Sequence, residues 1–119
     1  MESQLINNIA RSVLIRSLRR VKFGFLEVVC PRQTYTFGDP DSDLRATIAV
    51  EDDGFFRRAL QHGDIGIGES FMDGQWTSPD LHSVIRLAIR NLSLLEQSSE
   101  PFASLSRLRN VWEIGRAHV

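Results

Sequence analysis

The first twenty residues alternate between apolar and polar positions with a spacing that is typical of a helix. Apolar side chains recur three and four positions apart, at Leu5, Ile6, Ile9, Ala10, Val13, Leu14, Leu18 and Val21. This spacing predicts an amphipathic helix over residues 3–20, with arginines along its flanks.

The next segments have the composition of β-strands. Residues 21–29 are rich in β-branched and aromatic side chains and stop before Pro31, and residues 34–37 repeat the pattern before Gly38. Together they predict a hairpin, and the alternation in residues 45–50 predicts a third strand.

Helical spacing returns after the third strand. Asp52 or Asp53 is placed to cap a helix over residues 55–60. Gly63 is placed to end that helix in a left-handed conformation.

The rest of the chain predicts shorter elements. Residues 65–67 are interpreted as a short strand or an extended link, and residues 69–73 as one or two helical turns. Residues 78–80 begin a further helix, whose apolar face extends to about Leu95.

These elements predict an α+β fold with a leading amphipathic helix, a small mostly antiparallel sheet and two or three packed helices. We expect residues 1–96 to form this domain and the polar, Ser-rich residues 97–112 to form a linker. Residues 113–119 match the translation of a common sequencing adapter in one reading frame, so we expect this tail to be non-native.

Composition excludes several classes of protein. A net charge of -1 gives no overall field to recruit nucleic acid, and the single Cys30 excludes an internal disulfide. The histidines have no metal-ligand spacing, so no metal site is expected. The charge is uneven, because residues 1–22 sum to +4 and residues 39–80 sum to -7.

Three glycines, Gly63, Gly66 and Gly68, lie close together and raise the question of a phosphate-binding loop. No Lys followed by Ser or Thr comes after them, and Asp64 and Glu69 would repel phosphate. We prefer a structural interpretation, in which glycine permits positive φ and close backbone approach.

Glu69 and Asp73 are four residues apart, so a helix places both carboxylates on one face. They are candidates for contact with a partner domain or a lipid headgroup, and Glu69 is the better candidate. The alternative is that they are first-turn acids, favoured by the helix dipole, together with a cap. No strong base or nucleophile stands beside them, so no catalytic residue is assigned.

Apolar and aromatic side chains surround the same segment. Phe55, Phe56, Phe71, Met72 and Trp76 are candidates to line a tunnel for an acyl chain or to contact a neighbouring domain. The preferred alternative is that they form the core.

Arginines of the first helix are candidates for membrane contact: Arg11, Arg16, Arg19 and Arg20. Each cation near anionic lipid contributes roughly 1 kcal/mol to binding. The alternative is an ordinary helix that covers a sheet and carries solvated arginines.

The segment from Gly63 to Trp76, GDIGIGESFMDGQW, resembles a segment of the cyclopropane-fatty-acyl-phospholipid synthase family. Further similar motifs are the glycine and leucine of Gly24-Phe25-Leu26, the pair Phe37-Gly38, and the run from Ala46 through Phe55-Phe56-Arg57-Arg58. One departure is the hairpin turn, where Pro31-Arg32-Gln33 stands in place of the family's Pro-Asp-Gly.

The resemblance implies the N-terminal domain of a lipid methyltransferase that is truncated before its catalytic domain. That family transfers a methylene or methyl group from S-adenosylmethionine to unsaturated phospholipid acyl chains. No cofactor site is expected in this piece, and the implied partners are membrane phospholipid and the missing domain. The implied location is cytoplasmic, peripheral at the inner face of the membrane, and the piece is expected to be inactive alone.

Two alternatives use the same residues differently. A fainter resemblance to sterol-carrier-like domains implies a stand-alone lipid-binding protein. The other alternative is a structural module for docking or dimerisation, in which acids around Glu69 and Asp73 meet a partner and a homodimer is possible.

Overall fold

The computed structural model describes residues 2–96, which fold into helices packed with one four-stranded sheet. In chain order the elements are α1 (Glu2–Leu18), β1 (Phe25–Val29), β2 (Thr34–Gly38), β3 (Arg45–Val50), α2 (Gly54–Met72), β4 (Trp76–Thr77), α3 (Leu81–Arg90) and α4 (Leu92–Glu96). The predicted α+β class with a leading helix is confirmed. The expected linker and tail, residues 97–119, lie outside the described residues.

The sheet has the strand order β2-β1-β3-β4. β1 is antiparallel to β2 and parallel to β3, with Glu27 opposite Thr36 on one side and Thr47 on the other. β4 pairs antiparallel with β3 through Val50 and Trp76. The predicted hairpin and third strand are confirmed, although β1 begins at Phe25 and not at residue 21. β4 was not predicted, because two residues are too few to show alternation.

The chain crosses the end of β1 on its way from β2 to β3. The Asp39 N–H donates to the Gly24 carbonyl at 2.9 Å, and the Phe25 N–H donates to the Leu44 carbonyl at 2.8 Å. A Cβ on Gly38, whose φ is 91°, would lie 2.1 Å from the Gly24 carbonyl oxygen. The crossing therefore requires glycine at position 38.

One hydrophobic core joins the helices to the sheet. Its buried members are Ala10, Leu14, Ile15 and Leu18 of α1, Val21, Leu26, Val28, Phe37, Ala46 and Val50 of the sheet region, Phe55, Phe56 and Ala59 of α2, Trp76, and Leu87, Leu92 and Leu95 of the last helices. Alternate strand residues such as Leu26 and Val28 face this core, while Glu27 is only half-buried. The strands therefore have the period-two burial of a sheet with one core face.

α2 is longer than predicted and is bent at Gly63. Gly63 has the expected positive φ of 58°, but its ψ of -132° is not left-handed helical, and the helix resumes at once. Residues 65–67 are helical, so the predicted strand or extended link is wrong. An Ile-Gly-Ile alternation over three residues is too short to distinguish the periods of helix and strand.

The last predicted helix is divided in two. Asp80 caps the start of α3, where its carboxylate accepts hydrogen bonds from the Ser83 N–H at 3.2 Å and the Ser83 hydroxyl at 2.6 Å. These bonds lower the pKa of Asp80 below its ordinary value, since they favour the charged form. The helix predicted to reach Leu95 is interrupted at Asn91, which adopts a non-helical backbone and separates α3 from α4.

Asn91 is fully buried and ties the end of α3 to the connection between α1 and β1. Its Oδ1 accepts from the backbone N–H groups of Lys22 and Phe23, both at 2.9 Å. Its Nδ2 donates to the carbonyls of Phe23 at 2.7 Å and Leu87 at 2.8 Å. All four contacts use the amide of one side chain, so no smaller residue can replace it.

We expect the substitution Asn91→Ala to lower the free energy of unfolding by about 2–4 kcal/mol, because it leaves partly buried backbone groups of Lys22 and Phe23 without these partners. Urea unfolding followed by circular dichroism measures the change. Ser93→Ala, at an exposed position of α4, is the matched control and should have little effect. Equal stability of the two variants would contradict the role of Asn91.

Candidate functional site

The glycine-rich segment lies in the second half of α2, the following turn and β4. A Cβ on Gly66 would lie 2.2 Å from the backbone oxygen of Arg58, so the two halves of the bent helix meet at backbone contact there. Beyond the backbone of its own helical turn and its chain neighbours, no atom lies within 4 Å of the ideal Cβ position of Gly68. A helix and not a strand precedes Gly63, so the segment does not have the strand–loop–helix geometry that holds a nucleotide cofactor. Gly63 and Gly66 therefore serve the bend, and Gly68 does not.

Hydrogen bonds join this bent helix to β4. The Ile67 carbonyl accepts from the Trp76 indole N–H and from the Ser70 hydroxyl, both at 2.9 Å. The Gln75 N–H donates to the Ser70 carbonyl at 2.8 Å, and Ser70 is fully buried. The segment thus fixes the direction in which the chain leaves α2.

Arg58 and Gln75 extend the same junction to the start of α2. The Arg58 guanidinium donates to Asp73 at 2.7 Å and to Gln75 Oε1 at 3.2 Å. The Gln75 carbonyl accepts from the N–H groups of Glu51 at 2.8 Å and Asp52 at 3.1 Å. The Arg58–Asp73 pair is partly exposed, so its contribution to stability is small.

The aromatic candidates of the sequence divide by burial. Phe55, Phe56 and Trp76 lie in the core, with the Phe55 ring centroid 5.2 Å from that of Phe56 and 6.1 Å from that of Trp76. Phe71 is half-buried and packs on Trp76 at 4.9 Å. This close packing is what the core interpretation expects, and a lipid contact through these side chains stays a prediction.

The remaining candidates at this end of α2 are open to solvent. Met72 is 83% exposed, and Glu69 and Asp73 are also exposed. The interpretation of the two acids as first-turn residues is wrong, because they lie at the C-terminal end of α2, where the helix dipole disfavours negative charge. Arg58 offsets that effect for Asp73. Contact of these residues with a lipid or a domain stays a prediction.

The outer face of α1 is the second candidate surface. Leu5, Ile9, Ser12, Arg16 and Arg19 follow one another at four- and three-residue spacing and are all exposed. Leu5 is 61% exposed and Ile9 is 54% exposed. The single apolar face predicted from the sequence implied that all the apolar residues of α1 join the core, and these two do not. We call these five residues the outer stripe. It is apolar toward the N-terminus and basic toward the C-terminus.

α1 lies beside the edge strand β2, and a cleft opens between them. The cleft has a volume of about 290 Å³ and is lined by Arg11, Ser12, Ile15, Arg16, Arg19 and Tyr35. Two neighbouring clefts continue toward the hairpin turn at Arg32 and toward the other end of β2 at Gly38. The structure therefore brings together three of the four predicted membrane-contact arginines, and Arg20 lines the cleft near Gly38.

Residues 2–96 contain few other groups suited to catalysis or metal binding. Burial raises the pKa of the Cys30 thiol, and the nearby Asp53 carboxylate adds to this effect, so little reactive thiolate is present near neutral pH. No group of three metal-binding side chains is found in this part of the chain. Within it, too, no helix has both the length and the apolar character needed to cross a bilayer.

The chain is similar to cyclopropane-fatty-acyl-phospholipid synthase. The enzyme of Escherichia coli strain K12 is 31% identical over 83 residues, which covers 61% of this chain and 22% of the relative. The same enzyme of Escherichia coli O6:H1 strain CFT073 gives the same values. This chain thus spans about a fifth of the length of the curated relatives that it matches.

The other comparisons add nothing to this likeness. No family model matches the chain. No solved structure matches it either.

Sequence reasoning missed two contributors to these surfaces. Tyr35 reaches the arginine cleft from β2, and the only sequence signal was its position two residues before the core residue Phe37, on the same face of the strand. Asn91 sets the path that leads from α1 to β1, and nothing in the sequence indicated its contacts with Lys22 and Phe23, which lie 69 and 68 residues away.

The two helical glycines of α2 give a matched test of the segment's structural role. We expect Gly66→Ala to lower the free energy of unfolding by roughly 1–3 kcal/mol, since its Cβ would overlap backbone. Gly68→Ala should raise it by about 0.5–1 kcal/mol, because alanine favours the helix and has open space. Urea unfolding compares the two variants, and equal effects would show that the close approach at Gly66 is unimportant.

Proposed function

We propose that this chain is the membrane-contacting N-terminal part of a longer lipid methyltransferase, related to cyclopropane-fatty-acyl-phospholipid synthase. The longer protein would transfer a methylene or methyl group from S-adenosylmethionine to unsaturated phospholipid acyl chains at the inner face of the membrane. The likeness to the Escherichia coli enzymes supports this family. The outer stripe of α1 is the observation that carries the membrane contact.

The outer stripe matches the acyl-chain region and the headgroup region of a membrane surface. Leu5 and Ile9 expose apolar side chains, and Arg16 and Arg19 expose cations farther along the same face. At a rise of 1.5 Å per residue, Ile9 lies roughly 10 Å from Arg16 along the helix axis. Interfacial helices bury apolar side chains roughly 5–10 Å into the boundary between headgroups and acyl chains. A tilted α1 therefore places Ile9 below arginines that remain at the phosphates.

Charge adds to this match. Arg16, Arg19, Arg20 and Lys22 are all exposed. None of them is paired with an acid among the side chains that the structure describes. They remain available to the anionic leaflet, where each cation contributes roughly 1 kcal/mol.

A docking role is the second candidate. The observation that favours it is that Met72, which is 83% exposed, lies at the end of α2 together with the exposed Glu69 and Asp73, where a partner can reach all three. In a docking module the outer stripe has no function, so binding to vesicles distinguishes the two candidates. No observation favours a lipid carrier, since the clefts along α1 are lined mainly by polar and charged residues.

We expect the chain to bind phosphatidylglycerol-containing vesicles, and to bind phosphatidylcholine vesicles weakly. Binding should fall as salt rises, because ions screen surface charges. Ile9→Gln should weaken binding about fivefold by removing apolar contact with the bilayer. Vesicle flotation measures these changes.

Ile85→Gln is the matched control for Ile9→Gln, since Ile85 is 39% exposed on α3, away from the stripe. It should bind vesicles as the unchanged chain does. Absence of binding, or equal losses in the two variants, would contradict membrane contact through α1 and favour docking.

We also expect the purified chain to show no methyl transfer by itself. The glycine segment is part of a bent helix, and the reaction is assigned to the rest of the longer protein. Incubation with labelled S-adenosylmethionine and unsaturated phospholipid vesicles checks this. Label incorporated into lipid above a protein-free control would refute the assignment.

A further inference from the structure

The clefts that follow α1 along β2 differ in charge. The cleft toward the hairpin turn includes Asp53, and the cleft near Gly38 includes Asp39. The cleft between them is lined by Arg11, Arg16 and Arg19 and by no acid among the described residues. A small anion is therefore attracted most strongly to this middle cleft.

Arg11 is held in place at the wall of the middle cleft. Its guanidinium donates to Asn8 Oδ1 at 3.0 Å, one turn earlier on α1, and the side chain is half-buried. Arg11 and Tyr35 line both this cleft and the neighbouring one. A cation whose position is already restricted loses less conformational entropy when it binds a ligand.

The other lining groups complete a set of donors for an oxyanion. Arg16 and Arg19 form no ion pair with a described acid, so their guanidinium groups are available to a ligand. Ser12 and Tyr35 add hydroxyl groups, and the buried Ile15 forms an apolar base. Guanidinium groups bind phosphate with two parallel hydrogen bonds, and hydroxyls occupy the remaining oxygens.

From this arrangement we infer that the middle cleft binds a phosphate group. This rests on the proposed function in one respect, which is that the phosphate belongs to the headgroup of an anionic phospholipid. The volume of about 290 Å³ is at the lower end of ligand pockets, which suits a headgroup and not an acyl chain. The cleft would therefore bind headgroups at the membrane surface, while Leu5 and Ile9 insert into the bilayer.

The chain contains a single tyrosine, so a tyrosine ring label reports on Tyr35 alone. We expect its NMR signal to shift saturably when inorganic phosphate is added at constant ionic strength. The double variant Arg16→Gln/Arg19→Gln should weaken this binding about tenfold or more, because it removes charge-assisted hydrogen bonds. Ser12→Ala should weaken it less.

The control is Arg20→Gln/Lys22→Gln, which removes the same charge from exposed positions that do not line the middle cleft. It should keep phosphate affinity within about twofold, since only long-range attraction changes. On phosphatidylglycerol vesicles the cleft variant should lose more binding than the control. Equal losses in both variants, or no saturable shift of the Tyr35 signal, would overturn the phosphate site.

The phosphate titration and the vesicle experiment test this inference and the proposed function separately. Vesicle binding without a Tyr35 response to phosphate overturns the site and leaves membrane contact standing. A saturable, Arg16- and Arg19-dependent response without vesicle binding supports the site for a soluble phosphate compound and overturns membrane contact.

Discussion

The buried amide of Asn91 fixes the path by which the chain passes from α1 into the sheet. It holds the backbone of Lys22 and Phe23, which connects α1 to β1. α1 itself packs against α2, and its Arg11, Arg16 and Arg19 share a cleft with Tyr35 of the edge strand β2. Four directional hydrogen bonds from one side chain leave few alternative paths for this connection.

The conspicuous glycine segment and the outer stripe of α1 belong to different parts of the molecule. Gly66 lets two helical halves touch, and Trp76 and Ser70 fasten the second half to β4 through the Ile67 carbonyl. This segment builds the scaffold. The surface that we assign to the membrane is the outer stripe of α1, which no single motif marks.

Local patterns predicted the elements whose signal extends over several residues. The boundaries of β3 agree with the alternation of Arg45–Val50, and those of α1 are close to the residues predicted. A helix end was predicted at Gly63, but the continuation of the helix beyond it was missed. The break at Asn91 and the short β4 were also missed, since both depend on contacts between residues distant in the chain. The arginines were recognised from sequence. Only the fold shows that Asp53 and Asp39 line the flanking clefts and not the middle cleft.

The depth of single residues in a bilayer tests the central claim most directly. In a chain with Cys30→Ser, a spin label can be placed by Ile9→Cys or, as a control, by Ile85→Cys. On phosphatidylglycerol vesicles we predict the label at position 9 to lie roughly 5–10 Å below the lipid phosphates and the label at position 85 to remain in water. If the chain binds the vesicles but the label at position 9 stays in water, insertion of α1 is contradicted.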